Sequence, residues 1–336
     1  MVKYFAVTIS ALTILSLIFL SFFIGAIIYA IDGILLTFGH SFLSTFREPL
    51  REFLYSSIKP ESVLTIIFLI ILTILGLLST NLRPKINENI YTLQHKPVKN
   101  KKVTVALTAY NEEPVIGACV KDFIENKYVQ EVLVIDNNSV DKTEEVAKRT
   151  GAKVIKESQQ GYGFACIRGL REALKTGSEI IVLCEGDNTQ SGKDIDKFMD
   201  YIDHCDMVIG TRTVRLLTEK NTQMSQFYIW GNYFIAFLIS LKYFSPIDLT
   251  FVRLTDVGCT FRAIRRESLA KIIDKLDSTG HGFSPHMILV AIENNLSVIE
   301  IPISFRRREG ESKGAGGRKS LGLTVGLAMI WEIITR

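Results

Sequence analysis

The apolar residues of this 336-residue chain are concentrated near its beginning. Residues 4–30 contain no charged side chain, and residues 62–79 form a second apolar run. A helix needs about 20 apolar residues to cross a bilayer, so the first run is long enough and the second is just long enough. We therefore predict a membrane hairpin within residues 1–80, with transmembrane helices at about 4–31 and 62–79. A re-entrant or interfacial helix is the alternative for the second run.

Basic residues follow the second apolar run. They are Arg83, Lys85, Lys96, Lys99, Lys101 and Lys102. Because basic residues are enriched in loops on the cytoplasmic side of a membrane, they predict a multi-pass protein of the cell membrane. Residues 81–100 are then a linker, and residues 81–336 lie in the cytoplasm. The two membrane segments fit either simple anchoring or assembly into a homo-oligomer, and the pattern favours neither.

From residue 101 onward, short apolar runs alternate with helical patterns. The runs predict buried strands at 103–107, 132–135, 153–155, 180–183 and 207–209. The segments between and after them predict helices at about 114–126, 141–149, 164–175 and 192–202. This alternation indicates an α/β domain over residues 101–319, built on a doubly wound, mainly parallel sheet.

Three of the predicted strands end in polar turns. These turns are Tyr110-Asn111-Glu112, Asp136-Asn137-Asn138 and Glu185-Gly186-Asp187. The carboxyl ends of parallel strands meet at one edge of a sheet, where open α/β folds bind ligands. Glu185 and Asp187 can share one divalent cation, and oxygen ligands suit Mg²⁺ or Mn²⁺. An acidic turn without a ligand is the alternative, since an acid-x-acid triplet is common.

Charge, cysteines and missing motifs narrow the function. The formal net charge of +4 is too small to indicate a nucleic-acid partner. The five cysteines form no CxxC pair, which suggests free thiols in a reducing compartment. The sequence contains neither the glycine fingerprint of a dinucleotide fold after its first strand nor a P-loop. The predicted sheet edge instead suits a base, ribose hydroxyls and a metal-bound diphosphate.

A set of short motifs, in order along residues 101–314, resembles a known family. The motifs are AYNEE at 109–113, DNNSVDKT at 136–143, GYG at 161–163, EGD at 185–187, GTR at 210–212, DVGCTFRAIRR at 256–266 and IPISFRRREGESK at 301–313. The first five are similar to family 2 glycosyltransferases of GT-A fold. The last two resemble the branch that makes polyprenyl-phosphate sugars, namely the dolichyl-phosphate mannose and glucose synthases.

The resemblance implies a role for each matching residue. Those that would hold the nucleobase and ribose of a nucleotide-sugar donor are Thr108, Tyr110 and Glu112, with Val134 and Asp136 behind them. Glu185, Gly186 and Asp187 would lie against the diphosphate and the metal ion. Arg212 would bind phosphate, and Arg307 and Lys313 would close over the donor. Asp187, Arg212 and Arg307 are therefore the predicted catalytic residues. A salt bridge at a strand end is the alternative for Arg212.

Two positions depart from the family pattern. Glu185 stands where the family usually has aspartate, so its longer side chain shifts the metal ion or leaves Asp187 as the main ligand. Thr189 stands where the synthase pattern often has glutamine. These departures point to a different sugar or a different metal requirement, and the motifs choose neither the sugar nor the base of the nucleotide.

Two further apolar segments lie in the second half of the chain. Residues 226–244 are rich in aromatic residues, which favour the membrane interface, and we predict a helix on the bilayer surface. A buried core helix is the alternative. Residues 320–336 are predicted to form a second, C-terminal interfacial helix. The glycine-rich residues 310–319 before it are typical of a mobile lid.

The predicted reaction is inverting transfer of a sugar from a nucleotide-sugar to a polyprenyl phosphate, at a membrane whose lipids contact the protein. A phosphate oxygen is already ionised near neutral pH, so it can attack without a carboxylate base, and positioning and charge stabilisation carry the catalysis. His281 and His286 are expected to pack or to orient substrate rather than to act as bases. The alternatives are transfer to a hydroxyl of a lipid-linked glycan, an inert membrane scaffold and, more remotely, a nucleotidyltransferase.

Overall fold

The computed structural model of the chain describes residues 95–243, 252–309 and 319–336. In this part of the chain, the strands form one seven-stranded sheet in the order β3-β2-β1-β4-β6-β5-β7. The strands are β1 (Val103–Ala109), β2 (Val129–Asp136), β3 (Lys153–Lys156), β4 (Ile180–Glu185), β5 (Met207–Thr211), β6 (Arg262–Arg265) and β7 (Val298–Pro302). The predicted hairpin, with helices at 4–31 and 62–79, lies outside the described residues.

Six of the seven strands point in the same direction. β1 pairs in parallel with β2 and β4, and β5 pairs in parallel with β7. β6 is antiparallel to both of its neighbours, β4 and β5. The sheet is therefore mixed, although mainly parallel as the alternation predicts. In the register, Thr108 lies opposite Glu185 on one side, and Ala109 lies opposite Asp136 on the other.

Eight α-helices of the described residues cover the two faces of the sheet. They are α1 (Ile116–Ile124), α2 (Thr143–Arg149), α3 (Tyr162–Leu174), α4 (Ile195–Tyr201), α5 (Gln226–Lys242), α6 (Arg266–Ile272), α7 (Phe283–Glu293) and α8 (Lys319–Thr335). One face packs against α1, α2 and α4, and the other packs against α3 and α5 to α8. β1 is buried along its whole length between these layers, which fits its sequence of five apolar residues and two threonines.

The helices α5 and α8 each have a buried side and an exposed apolar side. Ile235, Ala236 and Ile239 of α5 enter the core. The exposed apolar side chains of the two helices are Phe227, Trp230, Phe234 and Phe237 on α5 and Leu323, Leu327, Trp331 and Ile334 on α8. Both predicted helices are present, but no helix of the described residues is long and apolar enough to cross a bilayer. Their location at a membrane surface stays a prediction.

Polar contacts fasten α8 to its neighbours. His286 of α7 is fully buried, and its Nδ1 lies 2.6 Å from Oε1 of Glu332 on α8. The backbone N–H of Asp277 donates to the other ring nitrogen of His286 at 3.1 Å. The Lys242 ammonium of α5 donates to the Ile333 carbonyl at 2.7 Å. His286 therefore has a packing role, as the sequence predicts.

Candidate active site

A cavity of about 680 Å³ opens at the carboxyl edge of the sheet. Its polar end is formed by the turns after β1 and β4, together with Arg212 and Arg308. Its apolar end is formed by α5 and α8, through side chains that include Phe234, Ile235 and Leu327. The same cavity thus has a charged region at one end and an apolar region at the other.

Three asparagines with positive φ shape the polar turns. Asn111, Asn138 and Asn188 follow β1, β2 and β4 with φ of 53°, 64° and 59°. Asparagine tolerates this left-handed conformation better than most residues, so it allows the chain to turn sharply. The Asn111 side chain accepts a hydrogen bond from the backbone N–H of Val140 at 2.8 Å, which ties the first turn to the second.

Gly186 allows the turn after β4 to lie against the end of β1. A Cβ at this position would be 2.8 Å from Cδ1 of Ile116 and 3.1 Å from the carbonyl oxygen of Thr108. The backbone N–H of Gly186 donates to that same carbonyl at 2.9 Å. Any larger residue would push Glu185 and Asp187 away from Thr108 and disturb the polar end of the cavity.

Arg308 bridges two carboxylates of this polar end. Its Nη1 donates to Oδ2 of Asp187 at 2.7 Å, and its Nη2 donates to Oε1 of Glu112. All three side chains are at least nine-tenths buried. Asp187 also accepts from the hydroxyl of Thr189 through Oδ1, at 2.7 Å. The carboxylate of Asp187 is therefore held in one orientation and is matched to a positive partner.

Glu185 is held by a different neighbour. Its Oε1 accepts a hydrogen bond from the hydroxyl of Thr260 at 3.0 Å. Burial raises the pKa of Glu185, and the negative charge of Asp187 raises it further, while Arg212 and Arg308 oppose this shift. The two acids of the EGD motif thus share an electrostatic environment but make separate hydrogen bonds.

Arg212 is paired with a buried aspartate. Its Nε donates to Oδ2 of Asp256 at 2.7 Å, and its Nη2 donates to Oδ1 at 2.8 Å. Burial alone would lower the pKa of Arg212, but Asp256 more than offsets this and raises it. Glu300 in turn accepts from the backbone N–H of Asp256 at 2.8 Å. The guanidinium therefore has a fixed orientation at the wall of the cavity.

Seven of the residues selected from the sequence line this cavity. They are Thr108, Tyr110, Glu112, Glu185, Gly186, Asp187 and Arg212. Val134 and Asp136 lie on β2 behind them, where both are buried, and Asp136 accepts from the backbone N–H of Ser139 at 3.1 Å. Lys313 lies outside the described residues.

The structure places Arg308, rather than Arg307, in the cavity. Arg307 is exposed, and its backbone N–H donates to Oε2 of Glu219 at 2.8 Å. Arg308, Asp256 and Thr260 are the functional candidates that the sequence reasoning did not select. The motifs contained all three, but nothing in the pattern showed which member of each motif faces the cavity.

The polar end suits a divalent cation that is completed by the ligand. Within the described residues, no group of three or more His, Cys, Asp or Glu side chains is arranged to hold a metal ion. Glu185 and Asp187 both line the cavity, and Asp187 already holds a positive group, the Arg308 guanidinium. Two carboxylates and a diphosphate form the oxygen-rich ligand set that Mg²⁺ and Mn²⁺ prefer.

Comparison with known proteins identifies the family. The profile described as Glycosyl transferase family 2 matches residues 104–273, just over half of the chain. An undecaprenyl-phosphate mannosyltransferase of Micrococcus luteus is 28% identical over 247 residues, which cover 69% of this chain and 96% of that protein. A dolichyl-phosphate hexose transferase of Haloferax volcanii is 30% identical over 212 residues, which cover 63% of this chain and 86% of that protein.

A solved structure supports the same fold. Glucosyl-3-phosphoglycerate synthase from Mycobacterium tuberculosis, crystallised with Mn²⁺, uridine diphosphate and glucosyl-3-phosphoglycerate, is similar with a TM-score of 0.52. The similarity covers 70% of this chain and 79% of the synthase at 17% identity, so it bears on the fold alone. The profile match and the two relatives confirm the resemblance seen in the motifs. The chain belongs to glycosyl transferase family 2.

Proposed function

We propose that the chain transfers a sugar, with inversion, from a nucleotide-diphosphate sugar to a polyprenyl phosphate. The observation that carries this proposal is the single cavity that joins the carboxylates and arginines of the sheet edge to the apolar wall of α5 and α8. A lipid phosphate acceptor needs both surfaces, because its phosphate meets the donor while its chain requires an apolar path. The names of the two relatives, an undecaprenyl-phosphate and a dolichyl-phosphate transferase, support the same acceptor class.

The donor occupies the polar end in this proposal. Thr108, Tyr110 and Glu112 contact the base and ribose, and Asp187, with Glu185 beside it, faces the diphosphate. A bound Mg²⁺ or Mn²⁺ would neutralise charge on the leaving diphosphate. The Mn²⁺ in the M. tuberculosis synthase structure supports this choice of cation.

Arg212 and Arg308 stabilise the negative charge of the leaving group. Asp256 holds the first guanidinium in place, and the Nε of Arg308 is buried with no hydrogen-bond partner among the described residues. Both arginines line the cavity, so their guanidinium groups lie where an oxygen-rich ligand would bind. Arginine pairs well with phosphate oxygens because its N–H groups form a planar fork. Lys313, outside the described residues, keeps its predicted role of closing over the donor.

The acceptor phosphate attacks without a general base. Among the described residues, the carboxylates that line the cavity are Glu112, Glu185 and Asp187, and all three belong to the donor end. His281 also lines the cavity. Burial lowers the pKa of its imidazole, which makes His281 a weaker base than an exposed histidine. An ionised phosphate oxygen needs no proton removed, so the arrangement of this cavity fits a phosphate better than an alcohol.

The exposed apolar sides of α5 and α8 are proposed to contact membrane lipids at the cytoplasmic surface. They carry aromatic side chains on the same helices that form the apolar wall of the cavity. Aromatic residues favour the interface between lipid and water. A polyprenyl chain would then pass from the bilayer into the cavity without crossing water.

A transfer assay in detergent tests the proposal. The purified chain is offered labelled UDP- and GDP-sugars with Mg²⁺ or Mn²⁺, together with a polyprenyl phosphate or the matching polyprenol. We expect a lipid product with the phosphate and none with the alcohol. A product with the alcohol, or with a lipid-linked glycan alone, would replace the proposed acceptor. Nucleotide binding without any product would point to an inert scaffold.

A further inference from the structure

The two acids of the EGD motif, which both line the cavity, have different hydrogen-bond partners. Asp187 pairs with Arg308 and Thr189, both of which belong to the polar end. Glu185 instead accepts from Thr260, a buried residue just before β6. The family resemblance makes the two acids joint metal ligands, but their hydrogen bonds separate them.

Thr260 is itself held by Tyr162. The hydroxyls of the two residues are hydrogen-bonded to each other. Because the single proton of Thr260 is donated to Glu185, the O–H of Tyr162 must donate to Thr260. Burial raises the pKa of Tyr162, so its hydroxyl keeps its proton near neutral pH. The result is a directed chain of hydrogen bonds from Tyr162 through Thr260 to Glu185.

Tyr162 has a rigid setting at the start of α3. The backbone N–H of Gly163 donates to the carbonyl of Thr279 at 2.9 Å. A Cβ on Gly161 would lie 2.8 Å from the same carbonyl, so glycine is needed for this close approach. The Tyr162 ring stacks on His281 with ring centroids 6.1 Å apart and an angle of 21° between the rings. Tyr162, His281 and Glu185 all line the cavity.

We propose that Thr260 and Tyr162 are positioning residues that hold Glu185 as a hydrogen-bond acceptor for hydroxyls of the transferred sugar, while Asp187 is the principal carboxylate toward the metal ion. This inference rests on the proposed function and adds the basis of its sugar recognition. A carboxylate has about four acceptor sites, and Thr260 occupies one of them, so others remain for sugar hydroxyls. The preferred donor is therefore a neutral, hydroxylated hexose.

Three variants and one control test the positioning role. Thr260→Val removes the hydroxyl at nearly constant volume, Thr260→Ser restores it, and Tyr162→Phe breaks the preceding link. Thr104→Val is the control. Thr104 lies on β1, is also fully buried, and its hydroxyl forms hydrogen bonds with the hydroxyls of Thr176 and Ser178. Calorimetry on the full chain in detergent compares two ligands in the presence of Mn²⁺. These are the nucleoside diphosphate and the corresponding hexose donor, in the UDP or GDP series that the wild type binds.

The expected result is a selective loss of sugar recognition. One hydrogen bond is worth about 1 kcal/mol, so Thr260→Val should weaken binding of the nucleotide-hexose by about fivefold to tenfold. Binding of the nucleoside diphosphate with Mn²⁺ should change by less than about twofold. Thr260→Ser should recover most of the loss, and Thr104→Val should show none. Tyr162→Phe should weaken binding of the nucleotide-hexose in the same selective way.

Other outcomes would overturn the inference. Equal weakening of both ligands in Thr260→Val would make Glu185 a metal ligand. No change beyond that of Thr104→Val, in a folded protein, would remove the positioning role. If Thr260→Val does not fold, Tyr162→Phe decides by the same two criteria. A wild type that binds neither nucleotide would overturn the proposed function and this inference with it, which is a result distinct from the other two.

Discussion

The two ends of the cavity are built in opposite ways. At the sheet edge, charged side chains are buried, and Arg308 forms ion pairs with both Glu112 and Asp187. At the other end, α5 and α8 leave large apolar side chains exposed, including Trp230 and Trp331 with 68% and 69% exposure. Each end therefore departs from the usual distribution of polar and apolar residues.

The difference shows which partner each end still needs. The polar end is organised before a donor arrives, since Asp256 and Thr260 already orient Arg212 and Glu185. The apolar end is incomplete in water, because contiguous exposed apolar side chains are unfavourable unless another apolar surface covers them. Under the proposed function, donor recognition would depend on fixed geometry, and acceptor recognition would depend on a lipid environment.

The largest effect is expected for Asp187→Asn. The substitution keeps the size of the side chain but removes the charge that faces Arg308 and the proposed metal ion. We expect kcat/KM to fall on the order of a hundredfold to a thousandfold, as it does when a group that stabilises transition-state charge is removed. Asp196→Asn on the exposed side of α4 is the control and should leave the rate unchanged. Steady-state transfer assays decide, and full turnover in Asp187→Asn would show that the assigned role is wrong.

The next effect distinguishes two neighbouring arginines. Arg308→Ala leaves two buried carboxylates without their partner, and losing one member of such a pair typically costs several kcal/mol. We therefore expect kcat/KM to fall on the order of a hundredfold, together with a lower melting temperature. Arg307→Ala should change both quantities little, since the side chain is exposed. The choice of Arg307 made from the sequence predicts the reverse order of effects, so the pair of variants decides between them.

The arginine example shows what the sequence pattern lacks. Ile301, Ile303 and Phe305 are buried at every second position, which is the period of a strand. Continued alternation would bring Arg307 to the inside. The alternation ends after Phe305, where the backbone N–H of Arg306 bonds the carbonyl of Thr189 at 2.7 Å. Contacts with a segment more than a hundred residues earlier thus determine which arginine faces the cavity, and local pattern does not encode them.

The parallel strands β1, β2 and β4 were predictable for the opposite reason. β1, β2 and β4 contain short apolar runs followed by polar turns, and the residues of these runs are buried. β6 carries Arg262, a fully buried arginine whose guanidinium donates to three backbone carbonyls. An arginine in a four-residue segment does not resemble a buried strand, so this antiparallel strand was missed. The carbonyl groups that satisfy this arginine belong to Val257, Cys259 and Ser284, all of them outside the strand itself.

A smaller effect is expected when the exposed apolar sides of α5 and α8 are changed. Trp230 and Trp331 are the two tryptophans of the chain, so intrinsic fluorescence reports on these surfaces directly. In lipid nanodiscs, brominated lipids should quench this fluorescence. Binding of the nucleotide-sugar donor, in contrast, should not require contact with lipid. Trp230→Ser or Trp331→Ser should raise the KM for a long polyprenyl phosphate by roughly tenfold, the value of one buried large apolar side chain.

Two comparisons keep this test specific for lipid contact. The KM for the nucleotide-sugar and the KM for a short, water-soluble prenyl phosphate should stay unchanged in both tryptophan variants. Val140→Ser, on the exposed turn after β2, should have no effect on either acceptor. Tryptophan fluorescence that brominated lipids leave unquenched would place these helix surfaces away from the bilayer.

The smallest effect concerns stability and the charge of Glu185. Its pKa is raised above the ordinary value of 4.5 by burial and by Asp187, so the folded state binds more protons than the unfolded state between the two pKa values. Stability therefore falls as the pH rises through this window, and the full cost is present above it.

Glu185→Gln removes the charge, keeps an acceptor for Thr260 and should raise the melting temperature near pH 7.5 by about 2–4 °C. The gain should shrink as the pH approaches 4.5, while Glu145→Gln on the exposed face of α2 should show no such trend. An equal gain at both pH values would mean that charge is not the cause. A gain that disappears at low pH would show that the polar end keeps a buried charge at the expense of stability, as expected of a group retained for function.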